Sequence, residues 1–184
     1  GSITEYCISK NVPAVIATTG LSSDQISDID MLSKKVAVFR SANMSVGINL
    51  LINLVKKAAA VLDGKFDIEI VEKHHNQKID APSGTALMIA DEISDSLKNK
   101  PEYVYDRHSM RKKRSKNEIG IHSVRGGTIV GEHEAIFAGN DEIIEIKHTA
   151  MSKEIFAVGG IKAAKFLVGK KPGMYDMHML IDEE

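Results

Sequence analysis

Tryptophan is absent, and phenylalanine and tyrosine together bring the aromatic share to only 5% of the 184 residues. That leaves too few rings for the stacking platforms that hold single-stranded nucleic acid. Charge of one sign is also lacking. The net charge is −1, against the strongly basic balance of dedicated nucleic-acid binders. There is one cysteine, Cys7, so no internal disulfide forms, and a reducing, cytoplasmic compartment is expected. No apolar run reaches the ~18 residues that a membrane span needs. The longest candidate, residues 46–62, is interrupted by Asn49, Asn53, Lys56 and Lys57. No basic start leads into an apolar signal segment. Also missing is GxGxxG, the glycine fingerprint that opens a dinucleotide-binding fold.

What is present is the mix of a globular α/β protein: 43% apolar and 27% charged residues. Residues 3–11 read as helix. Residues 12–18 (VPAVIAT) and 36–40 (VAVFR) are short apolar runs of the kind found in buried parallel strands. Between them, Ser22 or Ser23 caps a helix over residues 24–34. This strand–helix–strand order is that of a doubly wound sheet, with its glycine-rich opening expected upstream of this chain. Ser45 caps a helix over residues 46–62 that is apolar almost all round, hence expected to be buried on several sides. Residues 66–71 (FDIEIV) alternate as a strand with one wet face, and residues 72–82 read as a polar connection. A helix opens at Ser83 and runs to about Lys98. Strands follow at 119–124, 128–134, 134–138 and 142–148, and a last helix spans 152–168. The middle is therefore an α+β unit on a small open sheet.

Chemistry concentrates in Glu72-Lys73-His74-His75-Asn76-Gln77-Lys78-Ile79-Asp80-Ala81-Pro82-Ser83-Gly84-Thr85-Ala86-Leu87. The backbone N–H groups of Ser83, Gly84 and Thr85 at a helix start, with the helix dipole, suit a carboxylate or phosphate. His74, His75 and Lys78 add proton-donating groups a few residues away, which points to an anionic substrate and a general acid. A lone loop histidine is ordinarily just solvated. Two adjacent histidines, a lysine and a Ser-Gly-Thr helix start are harder to assign to chance. Zinc is a weaker reading, because His74 and His75 are adjacent rather than four apart and Cys7 is distant. A Schiff base at Lys78 is a further alternative, although Asp80 follows and no deeply apolar pocket is apparent. The basic run at residues 107–116 lacks interleaved aromatics and reads as a solvated loop. His122, His133 and His148 lie on expected strands and read as packed or interface histidines, and the eight methionines as gap-fillers rather than metal ligands.

The segment from His74 to Ala86 closely resembles the signature of the dihydrodipicolinate reductase family. The resemblance extends to Ala17-Thr18-Thr19-Gly20, to Ser41-Ala42-Asn43-Met44-Ser45-Val46-Gly47, to the stretches around Arg125, His133 and His148, and to Gly173-Met174-Tyr175-Asp176. It implies a partial Rossmann-like nucleotide-binding domain (residues 1–45 and 153–184). An inserted α+β substrate and tetramerisation domain (residues 46–152) completes the expected fold. It implies reduction of a small cyclic dicarboxylate, 4-hydroxy-tetrahydrodipicolinate, by NADH or NADPH in lysine and diaminopimelate biosynthesis. No metal, nucleic acid or membrane partner is implied. By the same resemblance His74 is the catalytic acid and Lys78 a second proton donor, while His75, Ser83, Gly84 and Thr85 bind substrate. Ala17, Thr18, Thr19, Ser41, Ala42, Asn43, Met44 and Lys153 adjoin the cofactor. Ala17 stands where the family usually has glycine, Met44 where it has phenylalanine, and Lys153 where some members have arginine. A second class stays open: a non-catalytic, substrate-binding and oligomerising fragment of such a reductase, too weak in cofactor binding to turn over.

Overall fold

The computed structural model describes residues 2–183, in two compact units. The first comprises residues up to Asn49 together with those from Glu154 onward, and the second runs from Leu50 to Lys153.

In the first unit, β1 (Ala14–Ile16), β2 (Ala37–Arg40) and β8 (Gly173–Tyr175) form a parallel sheet in the order β1-β2-β8. Because side chains alternate across a strand, β2 feeds both faces. Val36 and Val38 join Cys7, Ile29 and Leu32 from α1 (Ser2–Lys10) and α2 (Ser23–Ser33). Ala37 and Phe39 face the other way, onto Ala163 and Leu167 at α5 (Glu154–Phe166), with Met177 and Leu180 from α6 (Met177–Asp182). Ser22 caps α2 in a complete capping box with Gln25.

The first turn of α3 (Val46–Leu62), capped by the Ser45 hydroxyl on the Ile48 N–H, carries the chain into the second unit. There a five-stranded mixed sheet has the order β4-β5-β3-β6-β7. Its strands are β3 (Asp67–His74), β4 (Glu102–Val104), β5 (Glu118–Arg125), β6 (Gly131–Ala138) and β7 (Ile143–Ala150). β3 is central, parallel to β5 and antiparallel to β6. Ile68 and Ile70 of β3, Ile119 and Ile121 of β5, and Ala135 and Phe137 of β6 are buried, and α4 (Gly84–Ser96) packs on β3.

Several elements differ from the sequence reading. β3 runs on through Glu72, Lys73 and His74, which had read as connection. Residues 128–130 are not strand, because the β3–β6 ladder ends at Lys73 opposite Glu132 and nothing remains for them to pair with; one strand, β6, replaces two. β4, β8 and α6 are too short to leave a periodic signal. α3 is not buried all round: Leu50, Leu54 and Val61 are exposed. Among the described residues no helix is long and apolar enough to cross a membrane.

Candidate active site

The alternation of β3 sends Ile68, Ile70, Glu72 and His74 to one face. The first two belong to the core. The third places a carboxylate, fully buried, in the same row. A buried charge needs partners, and Glu72 has donors on both oxygens. Oε2 receives His74 Nδ1 at 2.5 Å and Arg125 Nη1 at 2.8 Å. Oε1 receives Arg125 Nη2 at 2.7 Å and the Ser83 backbone N–H at 3.1 Å. Burial pushes the Glu72 carboxyl up, but hydrogen bonds from Arg125, Ser123 and His74 outweigh it and hold the group at about 2. It is an acceptor only, so His74 Nδ1 carries the hydrogen between them.

Next to this pair, His133 of β6 packs edge-on against His74, with ring centroids 5.1 Å apart. Its Nε2 shares a 2.9 Å hydrogen bond with Ser83 Oγ, which also accepts the Ala86 N–H as the cap of α4. Burial, then the neighbouring His74, push the His133 imidazole down to about 4, so it stays neutral. His148 lies opposite His133 on β7, its Nδ1 buried without a partner among the described residues, and burial lowers it too.

These bonds also fix Ser83, one of the residues expected at the substrate. Ser83 is only 2% exposed, its N–H is committed to Glu72 and its hydroxyl to Ala86 and His133. It builds the start of α4. Gly84 and Thr85 occupy the first turn of α4 behind it. The loop between His74 and Ser83 brings His75, half-buried, and Lys78 to the same end of β3. Lys78 Nζ pairs with Asp80 Oδ1 at 2.8 Å; that bond holds the Asp80 carboxyl below its usual value, assisted by the Gly84 N–H. Arg125 Nη2 reaches the Asp80 carbonyl at 2.6 Å and so ties down the loop.

The residues expected at a cofactor lie in the first unit, apart from Lys153, which is exposed just before α5. Ala17, Thr18 and Thr19 follow β1 and are exposed; Ser41 and Ala42 follow β2. The carboxyl ends of parallel strands are where open α/β sheets receive ligands. Asn43 is a brace: its Oδ1 accepts the Ser45 N–H at 2.9 Å, and its carbonyl accepts from Ser41 Oγ and Asn49 Nδ2, each at 2.8 Å. Met44 is 4% exposed, with its side chain among Ala37, Phe39 and Leu167.

Sequence reasoning gave Glu72 and Arg125 no role at the site and read His133 as a packed histidine, which its burial matches. Glu72 was visible only as a continuation of the inward alternation of β3. The basic loop is also not merely solvated. Arg107 donates to Glu69 and Glu118, and Arg114 to Glu69, Asp67 and the Ile68 and Glu118 carbonyls. His122 completes the group on Glu69 at 2.7 Å. Burial raises the Glu69 carboxyl, but these donors win and lower it. Among the described residues no three His, Cys, Asp or Glu side chains are arranged to hold a metal ion.

A helix-covered parallel sheet joined to an α+β unit with a buried carboxylate–imidazole pair at a helix start defines a two-unit α/β enzyme. The family described as dihydrodipicolinate reductase matches twice, its N-terminus over residues 1–44 and its C-terminus over residues 47–181. The 4-hydroxy-tetrahydrodipicolinate reductase of Caldanaerobacter subterraneus subsp. tengcongensis is 62% identical over 172 residues, 94% of this chain and 68% of that protein. The protein of the same name from Clostridium tetani is 53% identical over 181 residues, 98% of this chain and 71% of its own length. A solved dipicolinate-bound dihydrodipicolinate reductase from Paenisporosarcina sp. TG-14 superposes with a TM-score of 0.76 at 27% identity, covering 95% of this chain and 66% of that one. The chain therefore belongs to the dihydrodipicolinate reductase family, whose members are pyridine-nucleotide-dependent oxidoreductases.

Proposed function

We infer that the protein reduces 4-hydroxy-tetrahydrodipicolinate to tetrahydrodipicolinate, with release of water, in lysine and diaminopimelate biosynthesis. The carrying observation is that one strand end, one loop and one helix start bring an imidazole (His74), an ammonium (Lys78) and the first turn of α4 together. A dicarboxylate has its charge met by Lys78 and by the N-terminal end of α4 at Gly84 and Thr85. His75, half-buried at the start of the loop, adds a polar contact. NADH or NADPH, when bound, supplies the hydride. The exposed turns after β1 and β2, through Thr18, Thr19, Ser41 and Ala42, would hold its nicotinamide half, with Asn43 and Met44 fixing the second turn from behind.

His74 supplies the proton that balances the hydride, and Lys78 is the second donor. The free edge of β7, with Ile143 and Ile144 exposed, supports self-association, which we propose gives a homotetramer. His74→Gln keeps the size and removes the acid. We expect kcat to fall ~100-fold or more, with a far smaller change in KM, because a proton donor acts mainly in the transition state. Steady-state kinetics with either nicotinamide cofactor checks this, and an unchanged kcat removes His74 from the chemistry.

A further inference from the structure

We infer that Glu72 is a positioning residue for His74: its carboxylate holds the Nδ1–H inward and makes Nε2 the atom that gives up the proton. The inference rests on the reading of His74 as the acid. On the Nδ1 side the geometry is closed. Glu72 is fully buried and spreads its two oxygens over His74, Arg125 and the Ser83 N–H, so it cannot turn away. Arg125 keeps the carboxylate ionised by bonding both oxygens in a fork. On the Nε2 side the geometry is open. Among the described residues Nε2 has no hydrogen-bond partner. Residue 131, at the start of β6, is glycine, and a Cβ there would stand 3.1 Å from Nε2 and 3.4 Å from Cδ2. The missing side chain leaves that edge of the ring reachable.

A neutral imidazole free in water prefers its hydrogen on Nε2, the wrong arrangement for accepting the next proton there. A buried carboxylate on Nδ1 reverses the preference and also stabilises the imidazolium. In the step itself the Nε2–H bond breaks with its pair left on Nε2, and the proton forms a C–H bond with the electron pair that hydride addition leaves on the neighbouring substrate carbon. The imidazole ends neutral with Nδ1–H still on Glu72, and the carboxylate takes no proton. The next proton arrives at Nε2 from solvent. A buried ion pair is an expensive way to gain stability. Here the same bonds fix the acid, the start of α4 and, through the Asp80 carbonyl, the loop between them.

Long-range proton–nitrogen NMR of the parent protein, with the His74 ring neutral, reads the arrangement without any variant. We expect Nδ1 protonated and Nε2 bare, and the opposite assignment overturns the inference. Glu72→Gln, assayed beside His74→Gln, gives the second reading. We expect Glu72→Gln to lower kcat ~10-fold or more with KM within ~3-fold, and to move the neutral ring toward Nε2–H. If His74→Gln loses turnover while Glu72→Gln keeps the parent kcat and ring state, the role of Glu72 falls and that of His74 stands. If His74→Gln itself keeps the parent kcat, both fall.

Discussion

Glu72 and His133 sit against the same histidine and make stability depend on acid in the same direction. Glu72 drops from 4.5 unfolded to about 2 folded. Its contribution is complete above pH 4.5 and is lost as pH falls toward 2, an amount on the order of 3 kcal/mol. His133 drops from 6.5 to about 4. The fold holds it neutral, so its contribution is whole above pH 6.5 and is lost as pH falls toward 4. The urea midpoint is therefore expected to decline in two stages, the first belonging to the histidines. His133→Asn is expected to flatten most of that first stage, His148 retaining a share because burial lowers it as well. A parent midpoint constant between pH 6.5 and 4 would show that His133 is not held neutral.

Among elements, the helices were the most legible in the sequence because their starts are written in single residues. Ser22, Ser45 and Ser83 each cap the helix that follows, and each cap forms. The end of β3 was not legible. Glu72 and His74 are polar at inward positions, and the partner that makes this tolerable, Arg125, lies 53 residues beyond Glu72. No local pattern shows such a bond. The α/β fold class and the signature segment were readable; the carboxylate that organises the segment was not. The cap of α4 also gives a sharper test of the anion site than the residue types alone. Ser83 is extended, with φ −64° and ψ 151°, the conformation favoured before proline, and a Cβ at Gly84 would meet nothing within 4 Å. Gly84→Pro should fold, lose the helix-start N–H that Asp80 holds in the absence of an anion, and bind 2,6-pyridinedicarboxylate ~10-fold more weakly by calorimetry. Undiminished binding would move the anion elsewhere. In the first unit, α5 crosses so close to the turn after β2 that a Cβ at Gly159 would run into the Met44 carbonyl. Gly159→Ala is expected to cost about 2 kcal/mol, lowering Tm by roughly 4–8 °C, readable in a thermal melt.

For the molecule as a whole, each unit has its own sheet, and each sheet uses its chemistry-bearing strands differently. In the first unit a parallel strand buried on both faces offers only its end. The second places a charged row inside one face of a mixed sheet and leaves an edge strand, β7, open. If tetramers form through that edge, Ile143→Lys should raise the dissociation concentration ~10-fold or more in sedimentation, since lysine is what natural edge strands use against pairing. A parent that sediments as a monomer would refute the assembly. The loop of residues 105–117 carries a different consequence. Its most basic stretch, Arg111, Lys112 and Lys113, is exposed and open to trypsin. The chain beyond the loop is held on both sides: β4 before it pairs with β5 after it, and Arg114 grips Asp67 and Glu69 from the far side of a cut in that stretch. A nicked chain would run as two bands in detergent and as one species in native gels, its halves still clasped together, so the loop is a place where the polypeptide can be opened without the fold coming apart.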